Sequence, residues 1–385
     1  MRVASSLSKI IYADNAATTR LDDDALALMT ELQRNFFANP SSSYKLARQP
    51  KKILREAREK IAACLNAEPH EIFFTSGGTE SDNWAIKSVV LADLRERPNI
   101  ITSTIEHKAI LNSCAAMQAL GCSVTLLPVD KSGVVKVSDL REKILPQTKI
   151  ISVMLANNEV GTIQPIATLA DIAHAAGKIF HTDAVQAVGH IPIDVRTLGA
   201  DMLSASAHKF NGSKGVGFLY VRDDLKIAPY LDGGGQEFSS RAGTENFPAI
   251  AAMALALEKN CRDMSAIAEK LSAATKILVS ILREAAIDFI VNGGANRLPG
   301  HLSLSFRGRD GEILMHRLDL KNICVATGSA CNSHETKISH VLQAIGIPDE
   351  YIRGTIRITL GKENPCRDAQ IIGRTLAAIV AGSRQ

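Results

Sequence analysis

The sequence predicts an α/β protein, in which a large domain with a mainly parallel sheet flanked by helices is joined to a smaller α+β domain. Through the first half of the chain, short apolar runs alternate with helix-like segments, a pattern typical of parallel strands covered by helices on both faces. After the glycine cluster at 233–235, the pattern changes to a long alanine-rich stretch and a few later strands. This change indicates the second domain.

The elements of the large domain follow from local periodicity. Residues 50–65 place apolar side chains on one face at helical spacing, with charges opposite, and 168–177 is a second predicted helix. The apolar runs between helical segments have the length of buried strands. The predicted strands are 71–75, 99–103, 123–127, 149–155, 178–182, 201–206 and 215–221.

The smaller domain is predicted mainly from the last part of the chain. Residues 248–286 are rich in alanine and predict one long helix or two. No flexible linker separates the two parts, so we expect them to pack closely. The expected boundaries are 15–262 for the large domain, with 1–14 and 263–385 in the small domain. The later predicted strands are 301–306, 322–326 and 355–360.

Composition argues against several classes of protein. Hydrophobic residues make up 46% and charged residues 22%, which is ordinary for a globular protein and argues against disorder or a coiled coil. The 44 Lys and Arg residues against 40 Asp and Glu leave a net charge of +4 without long runs of one sign, so no direct nucleic-acid partner is expected. The apolar runs are too short for a membrane span or a signal peptide, which predicts a cytoplasmic protein without a membrane partner.

The seven cysteines are spread thinly, and no two form a Cys-x-x-Cys pair. A disulfide framework or a zinc site usually has closely spaced cysteines, so neither is predicted and no metal site is expected. Most of these thiols are expected to be packing residues. Cys324, in an apolar run, is expected to be buried and inert.

The sharpest chemical signal is the segment Ser204-Ala205-Ser206-Ala207-His208-Lys209. A lysine just past an apolar strand, beside hydroxyls and a histidine, is partly desolvated, which lowers the pKa of its amine and favours a Schiff base with a carbonyl. The alternative is a lysine whose stem runs along a strand end to solvent. The segment by itself does not decide between them.

Two further segments favour the chemical interpretation. Residues 75–81 (TSGGTES) join a strand to a helix, where glycines and free helix N–H groups can receive a phosphate, although such a turn is also typical of a plain helix cap. Asp183 and Gln186 follow another strand, and a carboxylate there suits the ring nitrogen of pyridoxal 5'-phosphate (PLP), or simply caps a helix. The turn matches no nucleotide motif. Together, a phosphate turn, a carboxylate and a lysine at successive strand ends predict a PLP site.

With these motifs the chain resembles the cysteine desulfurases of the NifS/IscS kind, in the class V aminotransferase group of fold-type I PLP enzymes. The resemblance covers nearly the full length, in order. Its motifs are IYADNAATT from Ile11, Asn39-Pro40-Ser41-Ser42, TSGGTES, Glu106-His107-Lys108, ANNEVG at 156–161, FHTDAVQ at 180–186, SASAHK at 204–209, Arg241-Ala242-Gly243-Thr244, Gly328-Ser329-Ala330-Cys331 and Ile356-Arg357.

The resemblance implies a role for each matching residue. Lys209 would hold PLP as a Schiff base, Asp183 would pair with the ring nitrogen, Gln186 would bond the ring oxygen, and His107 would stack on the ring and move protons. The implied phosphate ligands are Gly78, Thr79, Ser206 and His208, with Thr244 from the second subunit of a homodimer. Asn158 and Arg357 would bind the substrate carboxylate; without the resemblance they would be read as a turn asparagine and a surface arginine.

Cys331 determines the reaction that the resemblance implies. Its neighbours are small and polar, as expected for an accessible thiol, and thiolate formation sets much of a cysteine's reactivity. In the resembled family this cysteine takes sulfur from L-cysteine as a persulfide, leaving L-alanine, and an acceptor protein then receives the sulfur. Its loop resembles that of the IscS and NifS subgroup. His334 is a candidate to assist ionisation, or is a solvated loop histidine.

Departures from the family pattern leave alternatives open. Ser43-Tyr44 stands where the family commonly has a histidine, and Ser213 stands where it commonly has a proline. The alternatives are an aminotransferase or selenocysteine lyase in which Cys331 is incidental, and a non-catalytic scaffold homologue. The sequence does not choose the sulfur pathway among iron–sulfur cluster assembly, tRNA thiolation, DNA sulfur modification and cofactor synthesis.

Overall fold

The structure is a computed structural model that describes residues 10–327 and 338–382. Its helices are α1 (Asp23–Asn35), α2 (Arg48–Leu65), α3 (Gly78–Val90), α4 (Lys108–Ala119), α5 (Val137–Lys143), α6 (Ile166–Ala175), α7 (Val195–Leu198), α8 (Gln236–Ser239), α9 (Phe247–Glu284), α10 (Gly311–Asp319), α11 (His340–Ala344), α12 (Asp349–Ile352) and α13 (Cys366–Gly382). Its strands are β1 (Ile11–Tyr12), β2 (Ile72–Thr75), β3 (Asn99–Ser103), β4 (Ser123–Leu127), β5 (Thr148–Ser152), β6 (Ile179–Asp183), β7 (Met202–Ser206), β8 (Gly217–Val221), β9 (Phe289–Val291), β10 (His301–Phe306), β11 (Ile323–Cys324), β12 (Ala326–Thr327) and β13 (Thr355–Thr359).

A seven-stranded sheet in the order β2-β8-β7-β6-β5-β3-β4 forms the larger part of the molecule. Strand β8 is antiparallel to both of its neighbours, and every other adjacent pair is parallel, so the predicted mainly parallel sheet is confirmed. Because β2 and β7 both oppose β8, they run in the same direction as the remaining strands. The carboxyl ends of six strands therefore lie along one edge of the sheet.

Helices bury the seven-stranded sheet on both faces. The neighbouring residues Ile150 and Ile151 are both fully buried, but Ile150 packs with Trp84 and Ile110 of α3 and α4, whereas Ile151 packs with Leu169 of α6. Successive residues of a strand point to opposite faces, so this division places α3 and α4 on one side and α6 on the other. Burial on both faces explains why these strands are continuous apolar runs.

A second, four-stranded antiparallel sheet has the order β12-β13-β10-β9. The predicted strand 322–326 is divided in two, because β11 pairs with β1 whereas β12 pairs with β13. Leu304 and Ile356 of this sheet pack with α10, α13 and the second half of α9.

Helix α9 connects the two cores. It is one continuous helix of 38 residues, which decides between the two predicted alternatives. Leu257 in its first half belongs to the core of the large sheet, and Leu278 in its second half belongs to the core of the small sheet. The expected domain boundary after residue 262 falls within this helix and stays a prediction.

Among the described residues, no helix combines the length and apolar character that a bilayer crossing requires.

Leu278→Ala is expected to lower the free energy of unfolding by about 2–5 kcal/mol, because it leaves a cavity at a fully buried position of α9. The matched control is Leu320→Ala, since Leu320 is 81% exposed and its truncation should change stability by less than about 0.5 kcal/mol. Urea unfolding followed by circular dichroism measures both. Equal losses in the two variants would contradict the packing described for α9.

Candidate active site

The carboxyl edge of the large sheet borders a cavity of about 370 Å3. The structure brings ten of the predicted site residues together around it: Gly78, Thr79, His107, Asn158, Asp183, Gln186, Ser206, His208, Lys209 and Arg357. Thr244 is exposed and is not among the lining residues, and Cys331 lies outside the described residues. Ala16, Ala17, Asp82, Met154 and Val185 complete the lining.

The sheet topology explains why residues far apart in the sequence meet here. Strands β2, β3, β5, β6 and β7 all end at this edge, and the segments that follow them supply the lining. Arg357 comes from β13 of the small sheet, so both sheets contribute to the cavity. Ligand sites of open parallel sheets lie at this edge.

Lys209 follows β7 in a single helical turn, with its amine in the cavity. Its Nζ donates to the carbonyl oxygens of Ala16 at 2.7 Å and Ala17 at 2.8 Å. Burial, reinforced by the positive charge of Arg357, lowers the pKa of Lys209 to about 8. A substantial fraction of the amine is therefore neutral and nucleophilic near neutral pH.

Asp183 ends β6 and is 4% exposed. Its Oδ1 accepts a hydrogen bond from the backbone N–H of Val185 at 2.9 Å. Burial raises the pKa of this carboxyl, while the nearby His107 and Lys209 act in the opposite direction. Gln186 is fixed by its Nε2, which donates to the Ala16 carbonyl at 2.8 Å. The loop at Ala16 thus positions both Gln186 and Lys209.

His107 caps the start of α4 and lines the cavity. Its Nδ1 accepts a hydrogen bond from the Ala109 N–H at 3.1 Å, so this nitrogen carries no proton. Desolvation lowers the pKa of the imidazole. A neutral His107 therefore has its proton on Nε2, where it can be given up or received.

The turn between β2 and α3 is shaped by glycine. Gly77 has φ of 149°, and a Cβ added at Gly78 would lie 2.5 Å from Cγ2 of Val185. Only a residue without a side chain lets the helix start this close to the segment after β6. A second cleft of about 390 Å3 opens at this helix start and shares Gly78, Thr79, Ser206 and His208 with the main cavity. The free N–H groups at the start of this 13-residue helix suit a phosphate there.

His208 and the ion pair of Glu80 with Arg241 determine the charge at this second cleft. His208 bonds Thr18 Oγ1 through Nδ1 at 3.1 Å, and burial together with the charges of Lys209 and Lys214 lowers its pKa to about 4. Glu80 is bound by Arg241 through two hydrogen bonds of 2.8 and 3.1 Å. The Glu80 carboxylate, which would repel an anion, is thereby paired with a cation.

Arg357 is held in place at the opposite side of the cavity. Its guanidinium donates to Asp14 Oδ1 at 2.7 Å and to the Asn158 carbonyl at 3.0 Å. Its Nε has no hydrogen-bond partner among the described residues. This Nε is buried, but Nη1 and Nη2 each carry a second N–H, so a guanidinium held in this position can still donate to a carboxylate in the cavity.

The residues on both sides of the segment that contains Cys331 contact a residue of the cavity lining or a sequence neighbour of one. On one side, Ala326 of β12 pairs with Arg357. On the other side, Ser339 Oγ donates to Glu159 Oε2 at 2.5 Å, and His340 Nε2 donates to the Glu106 carbonyl at 3.0 Å. Glu106 and Glu159 are the immediate neighbours of the lining residues His107 and Asn158.

Cys324 corrects one sequence expectation. It is partly exposed rather than buried, because its neighbours Ile323 and Val325 face the core of the small sheet and the side chain between them points to the opposite side. Of the other described cysteines, Cys114 and Cys122 are buried, whereas Cys64, Cys261 and Cys366 are half-exposed.

Three polar contributions to the site were not predicted from the sequence. Asp14 and the carbonyls of Ala16 and Ala17 lie in the quoted motif IYADNAATT, but no local pattern indicates that they face Arg357 and Lys209. Asp82 directly follows TSGGTES and lies four residues after Gly78. Because residues four apart share one face of a helix, the sequence could have placed Asp82 on the face that borders the cavity.

The comparisons with known proteins agree with this geometry. Residues 11–372 match the family described as class-V aminotransferase. The chain is 43% identical over 376 residues to a cysteine desulfurase IscS from Methanosarcina thermophila, covering 98% of this chain and 93% of that protein. A solved NifS-like protein has a TM-score of 0.91 at 37% identity, covering 97% of this chain and 100% of the other. A structure described as SspA in complex with cysteine has a TM-score of 0.82 at 36% identity, covering 91% and 99%.

Reductive methylation tests the pKa of Lys209. In the folded protein without added cofactor, the methylation rate of Lys209 should rise roughly tenfold per pH unit and level off near pH 8, where the neutral amine predominates. Arg357→Gln should move this midpoint upward, because one nearby positive charge is lost. Mass spectrometry of the Lys209 peptide measures the rate.

The urea-unfolded chain supplies the matched control, because an ordinary lysine titrates near about pH 10.4. Superimposable profiles for the folded and unfolded chains would contradict a desolvated Lys209.

Proposed function

The chain belongs to the class-V aminotransferase family and, within it, to the cysteine desulfurases, and from this premise we propose that it uses PLP to convert L-cysteine to L-alanine. Cys331 receives the sulfur as a persulfide and passes it to an acceptor protein. The proposal rests on one observation: four functional side chains meet in a single cavity, namely Lys209 with its lowered pKa, the buried Asp183, His107 and the fixed Arg357.

The residues around the cavity fit PLP. The cradle at Gly78, which a Cβ would fill, and the adjacent helix start suit its phosphate. In this proposal Gly78, Thr79, Ser206 and His208 hold the phosphate. Lys209 forms the covalent link, Asp183 pairs with the ring nitrogen, Gln186 bonds the ring oxygen, and His107 covers the ring. When bound, PLP supplies an electron sink for charge that develops on the substrate carbons.

The protein's own groups bind the substrate and move protons. Arg357 and Asn158 bind the carboxylate of L-cysteine, with Asp14 holding the guanidinium in position. The neutral fraction of Lys209 accepts the proton from the substrate α-carbon at Nζ. His107 Nε2 is the second site at which a proton is held near the substrate.

The transfer step balances without an external oxidant. The Cys331 thiolate attacks the substrate sulfur, an S–S bond forms, and the C–S bond of the substrate breaks. The electron pair of that C–S bond goes to the β-carbon, which takes up a proton and becomes the methyl group of L-alanine. L-cysteine and the Cys331 thiol thus become L-alanine and a Cys331 persulfide. The contacts of Ala326 with Arg357 and of Ser339 with Glu159 support this role, because they place one flank of the Cys331 segment against a lining residue and the other against the neighbour of the lining residue Asn158.

We propose a homodimer in which Thr244 completes the phosphate site of the other subunit. Thr244 is exposed on its own subunit, and the bond of Arg241 to Glu80 ties the segment carrying it to the helix start that borders the phosphate cleft. The sulfur acceptor is a protein, and the pathway that it serves stays open. A reducing cytoplasm is the proposed location, because the reaction needs a free thiol.

Cys331→Ser is expected to reduce alanine formation from L-cysteine by about a hundredfold or more, because the attacking thiolate is lost. Cys324→Ser is the matched control and should stay within about twofold of wild type, since Cys324 lies outside the cavity lining. Alanine and sulfide release by the purified protein are measured. Full turnover of L-cysteine by Cys331→Ser would favour an aminotransferase or a selenocysteine lyase in which this cysteine is incidental.

Subunit complementation tests the role of Thr244. Thr244→Glu and Lys209→Ala should each be inactive alone, the first because a carboxylate would repel the phosphate. Mixed dimers should regain about half of the wild-type activity, because one site then combines an intact Lys209 with an intact Thr244.

Lys209→Ala mixed with Lys209→Arg is the matched control and should regain nothing. Absence of complementation between Thr244→Glu and Lys209→Ala in verified mixed dimers would contradict the contribution across subunits.

A further inference from the structure

The turn that carries Lys209, residues 207–212, is bonded to other parts of the protein at successive backbone carbonyls. The four carbonyls from His208 to Asn211 accept hydrogen bonds of 2.8–3.0 Å, donated in chain order by Thr19, His190, Asn260 and Asp22. None of these donors belongs to the turn or to β7. The backbone on both sides of the reactive amine is therefore held by other segments of the chain.

Asn260 is a buried residue of α9 whose side-chain amide reaches this turn. It is 2% exposed, and its Nδ2 donates to the Phe210 carbonyl at 2.9 Å and to Asn211 Oδ1 at 3.4 Å. Asn211 has φ of 63°, a left-handed conformation that costs free energy for residues other than glycine and persists where the surroundings hold it. Asn260 thus binds the two residues that directly follow Lys209.

Lys362 fixes the direction in which the Asn260 amide points. Its Nζ donates to Asn260 Oδ1 at 2.9 Å and to Asp22 Oδ2 at 3.2 Å. An ammonium only donates, so the amide atom that faces it is the oxygen, and the NH2 group is turned to the Phe210 carbonyl, which only accepts. A reversed amide would place donor against donor and acceptor against acceptor. The contacts at the two ends of the amide therefore require each other.

Lys362 also connects the lysine turn with the opposite side of the cavity. Arg357 lies in β13 and lines the cavity, and Lys362 follows three residues after the end of that strand. One short segment therefore supplies both a guanidinium to the cavity and an ammonium to Asn260. The position of the lysine turn relative to Arg357 depends on this segment and on α9.

We propose that Asn260, oriented by Lys362, is a positioning residue for Lys209. By holding the backbone that follows the lysine, it keeps the amine against the carbonyls of Ala16 and Ala17 inside the cavity. The effect on catalysis rests on the proposed function. The ordering of residues 207–212 is a property of the chain itself and is tested without cofactor.

Hydrogen–deuterium exchange of the peptide covering 207–212 measures how often the turn opens. The Phe210 and Gly212 N–H groups donate to the Ala207 carbonyl at 3.1 and 2.8 Å, so both exchange only when the turn opens. In the full-length protein without cofactor, Asn260→Leu should speed this exchange about tenfold or more, because an uncharged side chain of similar size cannot donate to the turn. Unchanged exchange would overturn the proposal.

Asn292→Leu is the matched control. Asn292 is 1% exposed, and its Nδ2 donates to the hydroxyls of Ser303 at 3.0 Å and Ser305 at 2.8 Å in the small sheet. The substitution is the same and also removes buried hydrogen bonds, but exchange of the lysine turn should stay within about twofold of wild type. Equal acceleration in both variants would reveal a general loss of stability and overturn the positioning role.

Lys362→Met tests the orientation of Asn260 and keeps the proposal falsifiable if Asn260→Leu fails to fold. It should speed exchange of the same peptide about threefold or more, because the amide is then free to reverse. Lys259→Met is its control, since Lys259 Nζ donates to Asp22 Oδ1 at 2.7 Å and Asp24 Oδ2 at 2.6 Å rather than to Asn260. Equal exchange in the two lysine variants would contradict the role of Lys362.

Kinetics of alanine formation provide the catalytic readout. Asn260→Leu should lower kcat about tenfold and leave KM for L-cysteine within about twofold, because the contacts of Arg357 with Asp14 and Asn158 are unchanged. A raised KM with unchanged kcat would contradict positioning of Lys209. Absence of alanine formation by the wild type would overturn the proposed function instead, and the exchange measurements would still decide whether Asn260 holds the turn.

Discussion

The cost of removing charge from water is the constraint on which this site depends. The amine of Lys209 and the carboxyls of Asp82 and Asp183 share one cavity of about 370 Å3, and burial disfavours the charged form of each. Burial lowers the pKa of Lys209 and raises that of Asp183, and each group partly offsets the shift of the other. The result is an amine that is easily deprotonated beside a carboxylate that can remain charged, which is the combination that Schiff-base chemistry requires.

The relative position of the two sheets is fixed by contacts that also form the site. The Asp14–Arg357 ion pair joins residues 343 positions apart, and the Ala16 N–H donates to Thr359 Oγ1 of β13 at 2.9 Å. The carbonyl of that same Ala16 accepts from Lys209 and Gln186. A shift of the small sheet relative to the large sheet would therefore displace both Arg357 and the Ala16 loop that binds Lys209. Helix α9, which packs in both cores, opposes such a shift.

Local sequence was sufficient for the strands and for the residues at their ends. The runs 99–103, 123–127 and 301–306 have the observed strand bounds. Strands β3 and β10 are buried along their whole length, whereas β4, at the edge of the large sheet, leaves Ser123 and Leu126 exposed. Lys209, Asp183 and Gly78 were found because parallel strands present their carboxyl ends at one edge. The contact between Asp14 and Arg357 was not predicted, because it forms only when the two sheets are assembled. Cys324 was misjudged because an apolar run does not reveal which of its side chains face the core; Ile323 and Val325 do, and Cys324 between them does not.

The cost of burying charge also applies to Asp82 and Asp183, two buried carboxyls that line the same cavity. If Asp82 and Asp183 were both ionised, their mutual repulsion in a buried site would be relieved by a proton taken from the surroundings, and Asp183 would be as able to take it as Asp82. His107 and Lys209 favour the ionised form of Asp183, whereas the carboxyls of Asp183 and Glu106 disfavour that of Asp82. Ser152, His181 and Ser204 lie on three adjacent strands, so the sheet that assembles the cavity also places the buried imidazole of His181 near Asp82. The fold thereby determines the charge of the site as well as its shape.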